Sequence, residues 1–548
     1  MGNLSAAAQR RAASITRLKD EAWDLLVIGG GISGAGVARE AARRGWKVAL
    51  IEQRDFAWGT SSRSSKMVHG GLRYLKEGQI GLTLHSVRER ERLMREAPEL
   101  VEPLSFLFSD CAGRKPGRWL FQLGLKVYDL MAGRRTHAYI NADAARALVP
   151  GLAPPALKGA MTYQDAVTDD TRLVTRVLAE AQCDGALALN YVCANQLILE
   201  NGQAAGVHAR DAETGQTFDI RAKAVVNATG AWADRLRGAV GGQAKLRPLR
   251  GSHLVVPAWR LPVSQCVSLM HPQDGRPVYF YPWEGVTLVG TTDLDHSGDI
   301  NTEATITQAE MDYLLAAVND QMPGALLRQS DVIACYAGVR PVVAGGSDGG
   351  GSGNGASSAS KDASKMSRDH VALLESGLVT LTGGKLTTFR LMAQDALVLA
   401  APLAGKIFQP DNAIVFRAVY AFPVGISALN DRYFRRLQAR YGADAGVVAK
   451  GASSDELQCV PGTTTLWLEL RIAAEHEAVV HLDDLLLRRT RLGLLLPNGA
   501  ITHIDKIRQL CQPALQWDDA TWQAEIARYI ALVDKYYSLP KMAANPSK

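Results

Sequence analysis

Short apolar runs that end in glycine open this chain, and each leads into a segment with helical spacing. Residues 24–30, DLLVIGG, form an unbroken apolar run, the pattern of a strand covered on both faces. SGAGVAREAARRG follows, with small residues on one side and basic residues on the other, and stops at Gly45. It predicts a helix with a glycine terminator. KVALIEQ at 47–53 predicts a second strand, which completes a βαβ unit. Between 186 and 230, ALALNYVCA, LILENGQAAGVHAR and AKAVVNATG predict strands, and the pair Asn201-Gly202 predicts a hairpin. SHLVVP, VYFYPW and VTLVGTTD, between 252 and 293, predict a mainly antiparallel sheet. Thr307 and Glu310 stand at capping-box spacing and start a helix.

From 344 to 360 the chain becomes AGGSDGGGSGNGASSAS, with seven glycines in the eleven residues 345–355. Such a segment cannot build a core and predicts a flexible surface loop over 344–366. Beyond about residue 400 the pattern is chiefly helical, as in RYFRRLQARYG and DDLLLRRTRLGLLL. The expected organisation is a flexible basic arm over 1–21 and a dinucleotide-binding unit over 22–400. A substrate-binding unit drawn from about 75–170 and 245–345 interleaves with it, and a separate helical domain covers 401–548. The fold class is α/β with an α+β substrate part: a Rossmann-like unit, an antiparallel sheet and an all-helical cap.

Composition narrows the partners. The 548 residues are ordinary for a globular protein, 47% apolar and 21% charged. A net charge of +6 does not point to nucleic acid and suits an anionic substrate or an anionic membrane surface. Seven scattered cysteines without CxxC spacing read as reduced thiols, with no metal site expected. No apolar run approaches the roughly 20 residues that span a bilayer. The first 19 residues carry four cations and no acid. A flexible arm, a membrane-surface arm and a transit peptide are the three readings of that start. Residues 117–135, GRWLFQLGLKVYDLMAGRR, suit either a core helix with solvated ends or a helix lying on a membrane.

The chemistry begins at Gly29, Gly31 and Gly34, a G-x-G-x-x-G between predicted strand and helix, with Glu52 following at the end of the second strand. Backbone N–H groups there approach a pyrophosphate at the helix N-terminus, and Glu52 accepts from ribose hydroxyls. Two further strand–glycine junctions, NATGAWA at 227–233 and LTGGKLTTFR at 381–390, favour FAD over NAD. A flavin laid across the unit draws on such separated segments. Helix N–H groups after Gly383 and Gly384 would face the part of the ring that gains negative charge on reduction.

The motifs DLLVIGGGISGAGVAREAARRGWKVALIE, GTSSRSSKMVHGGLRYL, NATGAWAD, GSHLVV, GTTD, GVRP and GGKLTTFR occur in that order. Together they resemble the FAD-dependent, quinone-linked glycerol-3-phosphate dehydrogenases, within the fold of the D-amino-acid-oxidase-like flavoproteins. The resemblance covers roughly residues 22–395, and HLDDLLLRRTRLGLL is similar to the family's helical cap. SSKMVHGGLRYL with GGKLTTFR is its specific part; the glycine fingerprint is common to many flavoproteins. The Gly/Ser insertion departs from the pattern. So does Phe389, where the family often has tyrosine.

The resemblance implies oxidation of sn-glycerol 3-phosphate to dihydroxyacetone phosphate by hydride transfer from C2 to N5 of a non-covalent FAD. Electrons would pass to ubiquinone or a similar membrane quinone, with the protein peripheral on the cytoplasmic face of the inner membrane. A homodimer stays open. Arg73, Arg340 and Lys385 are the expected phosphate clamp, and Lys385 alternatively faces the flavin. His253 is the preferred base, with His69 as the second candidate or a positioner of the ring. Tyr74 binds substrate or packs. The expected cofactor contacts are Gly29, Gly31, Gly34, Glu52, Gln53, Thr60, Ser61, Ser62, Ser64, Ser65, Val192, Thr229, Gly230, Gly384, Lys385, Leu386 and Thr387. An oxygen-using glycerol-3-phosphate oxidase and an amine or amino-acid oxidase of the same fold are the alternatives.

Overall fold

The computed structural model describes residues 6–76, 78–114, 117–343, 370–417 and 431–540, without the side chains of Ala6, Ala7, Ala8, Arg73 and Lys76. The expected glycine-rich loop over 344–366 lies outside the described residues. The chain starts with α1 (Ala6–Asp20), then β1 (Trp23–Ile28), α2 (Ile32–Ala42) and β2 (Val48–Ile51). It leaves this unit through β3 (Met67–Val68), α3 (Ile80–Glu96), β4 (Val101–Cys111), α4 (Arg118–Ala132), β5 (Ala138–Asn141) and β6 (Leu157–Thr168). Helix α5 (Asp170–Cys183) brings it back to add β7 (Leu187–Leu189), β8 (Val192–Glu200), β9 (Gln203–Asp211) and β10 (Thr217–Asn227). A second excursion makes β11 (Leu246–Pro257), β12 (Cys266–Met270), β13 (Pro277–Trp283), β14 (Val286–Gly290), β15 (Leu294–Asp295), α6 (Gln308–Gln321) and β16 (Ala334–Val343). The chain returns once more with β17 (His370–Glu375), β18 (Leu378–Gly383) and α7 (Phe389–Ala404). Helices α8 (Asp431–Tyr441), α9 (Trp467–His476), α10 (Ile504–Leu515) and α11 (Asp519–Tyr536) complete it.

The first sheet has the order β17-β18-β10-β1-β2-β7, parallel from β18 to β7, with the β8–β9 hairpin continuing from β10. Leu25 and Val27 of β1 join the core under α2 and α7, whereas Trp23, Leu26 and Ile28 face the hairpin and α1. Both faces are covered, so the run is apolar throughout instead of alternating. Asn201 and Gly202 turn the hairpin with φ of 50° and 77°, the left-handed pair that an Asn-Gly turn supplies. The second sheet, β15-β11-β14-β13-β12-β4-β6-β3, is antiparallel except where β12 meets β4. Thr307 caps α6 with the full reciprocal box to Glu310.

One expectation about the start of the chain needs correction. Residues from Ala6 to Asp20 are a helix docked by buried Ile15 and Leu18, with Arg11 paired to Asp211 and donating to the Asn190 carbonyl at 2.9 Å. They are not a loose arm: two apolar positions three apart are enough to seat a helix on a waiting surface. The C-terminal helices form the expected helical domain, with a small cluster of their own around Leu437, Leu466, Leu468 and Ile472, but most of their apolar surface is shared with the second sheet. Trp467, Leu470, Leu486, Leu495 and Trp522 share one cluster with Val255, Tyr281 and Leu288 of the second sheet. The face of that sheet turned from α6 is therefore closed by the C-terminal third.

Candidate active site

The cleft begins where β1 ends. Gly34 allows α2 to lie against that turn, since a Cβ at this position would collide with the Gly29 carbonyl. Gly31 caps α2, and the Ile32 amide donates to Ser61 Oγ at 3.0 Å. Glu52 at the end of β2 accepts from the Gly30 amide at 2.7 Å and the Arg54 amide at 2.9 Å. Burial pushes its carboxyl above the ordinary value against those two hydrogen bonds. Gly29, Gly31, Glu52, Gln53, Thr60, Ser61, Ser64, Val192, Thr229, Gly230, Gly384, Lys385 and Leu386 all line one cleft across the parallel strands. Trp58, Trp232, Arg235 and Met392 line it too and were not expected. The two tryptophans stand 5.8 Å apart at its edge.

A second cavity opens from the cleft across Thr60, Ser64, Pro341 and Gly383–Leu386, which line both. Ser65, His69, Tyr74, Arg340 and Thr387 line it as well. Arg340 on β16 donates to Asp293 Oδ1 at 3.0 Å and to Thr291 Oγ1 at 2.9 Å, which fixes its fork. The Lys385 ammonium sits 3.7 Å over the Tyr74 ring and donates to Ser86 Oγ at 3.0 Å. It borders both spaces, so the two roles offered for it are compatible. Tyr74, in turn, packs beneath that cation and is buried. Thr387 Oγ1 donates to the His69 carbonyl at 3.2 Å, tying the HGG turn to the GGK turn. Arg73 lies in a short helical turn, Leu72–Lys76, and its side chain is outside the described residues.

Three expected residues do not reach either wall. Gly34 is under the turn, in the helix–strand contact. Ser62 is turned inward, its hydroxyl donating to the Trp58 carbonyl at 3.3 Å. His253 is fully buried in β11, stacked on Tyr336 at 4.7 Å, and meets the cavity only through Ser65 Oγ at 2.8 Å from Nε2. Burial, then the charges of Arg340 and Lys66, pull this imidazole well below its ordinary value. A ring that must gain charge as it accepts a proton is opposed by all three.

The structure adds residues that the motifs did not reveal. Asp165 lines the cavity and accepts from the Gly70 amide at 3.0 Å, Tyr128 Oη at 2.6 Å and Arg90. Gly70 is packed so tightly against Tyr128 and Val87 that a Cβ would overlap both. Asp165 and this glycine thus set the path of the backbone beside His69. Arg276, at the start of β13, contributes a third cation, and Phe106, Tyr163 and Tyr279 an aromatic wall. Only Arg276 had a signal: a cation before proline at a strand start.

Residues 24–394 match the family model for FAD dependent oxidoreductase, and residues 380–522 that for the C-terminal domain of alpha-glycerophosphate oxidase. Glycerol-3-phosphate dehydrogenase 2 of Mycobacterium tuberculosis is 36% identical over 547 residues, covering 96% of this chain and 90% of the relative. This chain belongs to the FAD-dependent glycerol-3-phosphate dehydrogenase family. The aerobic glycerol-3-phosphate dehydrogenase of Staphylococcus aureus is 32% identical over 535 residues, 92% of this chain and 93% of its own. The solved Bacillus halodurans glycerol-3-phosphate dehydrogenase, complexed with FAD, superposes with a TM-score of 0.75 at 28% identity, covering 98% and 99% of the two chains. The FAD cofactor of the family fits the cleft here. The glycine turn, the carboxylate of Glu52 and the hydroxyls of Thr60 and Ser61 line one cleft, a set of groups that would suit a pyrophosphate and a ribose. Phe389, where the family often has tyrosine, is buried and packs against Gly36.

Proposed function

We propose that this protein oxidises sn-glycerol 3-phosphate at C2 to dihydroxyacetone phosphate and delivers the electrons to a membrane quinone. The observation that carries the reading is the cavity that opens from the flavin cleft, lined by both aromatic rings and cations. Arg340, Arg276 and Lys385 all line it, a set of cations suited to a phosphate dianion. The bound FAD supplies the hydride acceptor. The chain holds the substrate's phosphate on its cations and excludes water with Phe106, Tyr163 and Tyr279. It removes the C2 hydroxyl proton to an imidazole. We assign that base to His69, which lines the cavity, and leave His253 as the neutral ring that orients Ser65.

The acceptor half of the reading rests on α4. Trp119, Leu120, Leu123 and Leu130 are 76%, 69%, 60% and 82% exposed. They lie along one helix, whose Leu125 and Tyr128 are buried on the other side. Its single acid, Asp129, is turned inward to Thr136 and His137, while Arg134 and Arg135 are exposed just beyond. An apolar stripe bordered by cations suits an anionic lipid surface, here the cytoplasmic leaflet of the inner membrane. Among the described residues no helix is long and apolar enough to cross a membrane.

Anaerobic titration of the holoprotein with glycerol 3-phosphate tests the first half: the flavin absorbance should bleach, and glycine or sarcosine should leave it unchanged. Bleaching by the amino acids alone would overturn the substrate. Reoxidation by a soluble quinone should outpace reoxidation by oxygen. The reverse order would make the protein an oxidase of the same substrate.

A further inference from the structure

Residues 59–66 form the common wall of the flavin cleft and the substrate cavity, through Thr60, Ser61, Ser64 and Ser65. What holds this loop from behind is charged, buried and in part remote. Arg491, in the C-terminal third, donates to the Ser62 carbonyl at 3.0 Å and to Asp170 Oδ1 at 2.9 Å. Asp170, the first residue of α5, accepts from the Ser64 amide at 3.1 Å and its hydroxyl at 2.7 Å. The Lys66 ammonium closes the ring, 3.1 Å from both Asp170 Oδ1 and the Ser62 carbonyl. Lys66 and Asp170 are fully buried and Arg491 is 1% exposed. Lys66 and Arg491 are both held in the left-handed region, with φ of 52° and 63°, at a cost that glycine would avoid.

Apolar packing would join two surfaces at less desolvation cost than three buried charges. What the charges add is direction: each hydrogen bond specifies where one carbonyl or amide of the loop must stand. We propose that Arg491, Asp170 and Lys66 form a positioning triad through which the C-terminal helical region fixes the Ser62–Ser65 backbone against the flavin. The segment DDLLLRRTRLGLLL thereby acquires a task in the active site. The same segment grips the loop's entry, with Arg489 donating to both oxygens of Asp55 at 2.7 Å. The inference rests on the family's FAD, not on the choice of substrate.

The test compares Arg491→Gln and Arg491→Lys holoproteins with the parent. The readouts are the visible flavin spectrum, the rate of FAD release in buffer, and kcat and KM separately. Arg491→Gln should keep its far-ultraviolet circular dichroism, shift the flavin bands and release FAD about tenfold faster or more. With glycerol 3-phosphate, kcat should fall while KM stays within about twofold, because the clamp residues are untouched. Arg491→Lys should recover part of the FAD retention. If Arg491→Gln does not fold, Asp170→Asn removes the charge that Arg491 and Lys66 share without altering either wall, and its FAD release should rise about threefold or more. Unchanged spectrum and FAD release in whichever variant folds would overturn the triad. FAD release is read without substrate, so failure here is distinct from failure of the proposed reaction.

Discussion

Arg340 is fixed by Asp293 and Thr291, which line the cavity with it, so its position does not depend on a bound substrate. Arg340→Gln should raise KM for glycerol 3-phosphate about 100-fold, the scale of one charge-assisted contact, with FAD still bound. An unchanged KM would move the phosphate elsewhere. His69→Asn should lower kcat about 100-fold or more, whereas His253→Asn should cost much less. The reverse ranking in steady-state kinetics would return the base to His253. A pH effect belongs to another histidine. Burial disfavours the charged ring of His481, but hydrogen bonds to Glu213 and Glu525 outweigh it and push the ring up to about 10. A raised value stabilises the fold fully below about pH 6.5. That contribution fades as pH rises toward 10. His481→Gln should therefore cost about 2 kcal/mol in urea unfolding at pH 6 and little near pH 10. The residues visible in the sequence were those inside motifs, such as Arg340 and Lys385. Asp165 was invisible because a single acid in a strand carries no pattern. The burial of His253 and its two neighbouring cations cannot be read from its own segment.

At the scale of elements, the βαβ opening and the Asn-Gly hairpin were legible because each is decided by adjacent residues. Gly34→Ala should abolish FAD retention, since the methyl must push α2 off the Gly29 carbonyl. A variant that stays yellow after desalting would contradict the close contact. Helix α4 was ambiguous in sequence for a physical reason: a core stripe and a membrane stripe have the same spacing, and only the neighbours decide. The neighbours cover Leu125 and Tyr128 and leave Trp119, Leu120 and Leu123 outside. The triple change of those three to Ser should lower co-sedimentation with anionic vesicles about 1,000-fold or more, each apolar side chain contributing about 1.5–3 kcal/mol when buried. Glycerol 3-phosphate turnover with a soluble acceptor should be unaffected. Equal vesicle binding by both proteins would place the membrane contact on another surface.

For the molecule as a whole, the expected interleaving of two sheets appeared in the pattern of strands, but the dependence of one on the C-terminal helices did not. Helical periodicity marks an apolar face without saying what will cover it, and here one apolar cluster spans sheet and helices. A chain ended after Gly405 should therefore be insoluble or free of flavin, as judged by soluble yield and absorbance at the flavin bands. A yellow, soluble product would show that the second sheet needs no cover. The order of the first sheet also bears on how the protein is made. β2 follows β1 at once, but β1 waits for its other neighbour β10, and β10 for β18, so the glycine turn emerges from the ribosome long before one of the two strands that flank it. A nascent chain offers FAD half a cleft until residue 383 has been added, and the Arg491 brace arrives later still. Cofactor capture is thus a late event in synthesis, and until then the unpaired edges of β1 and β2 are exposed to whatever chaperone or neighbouring chain meets them first.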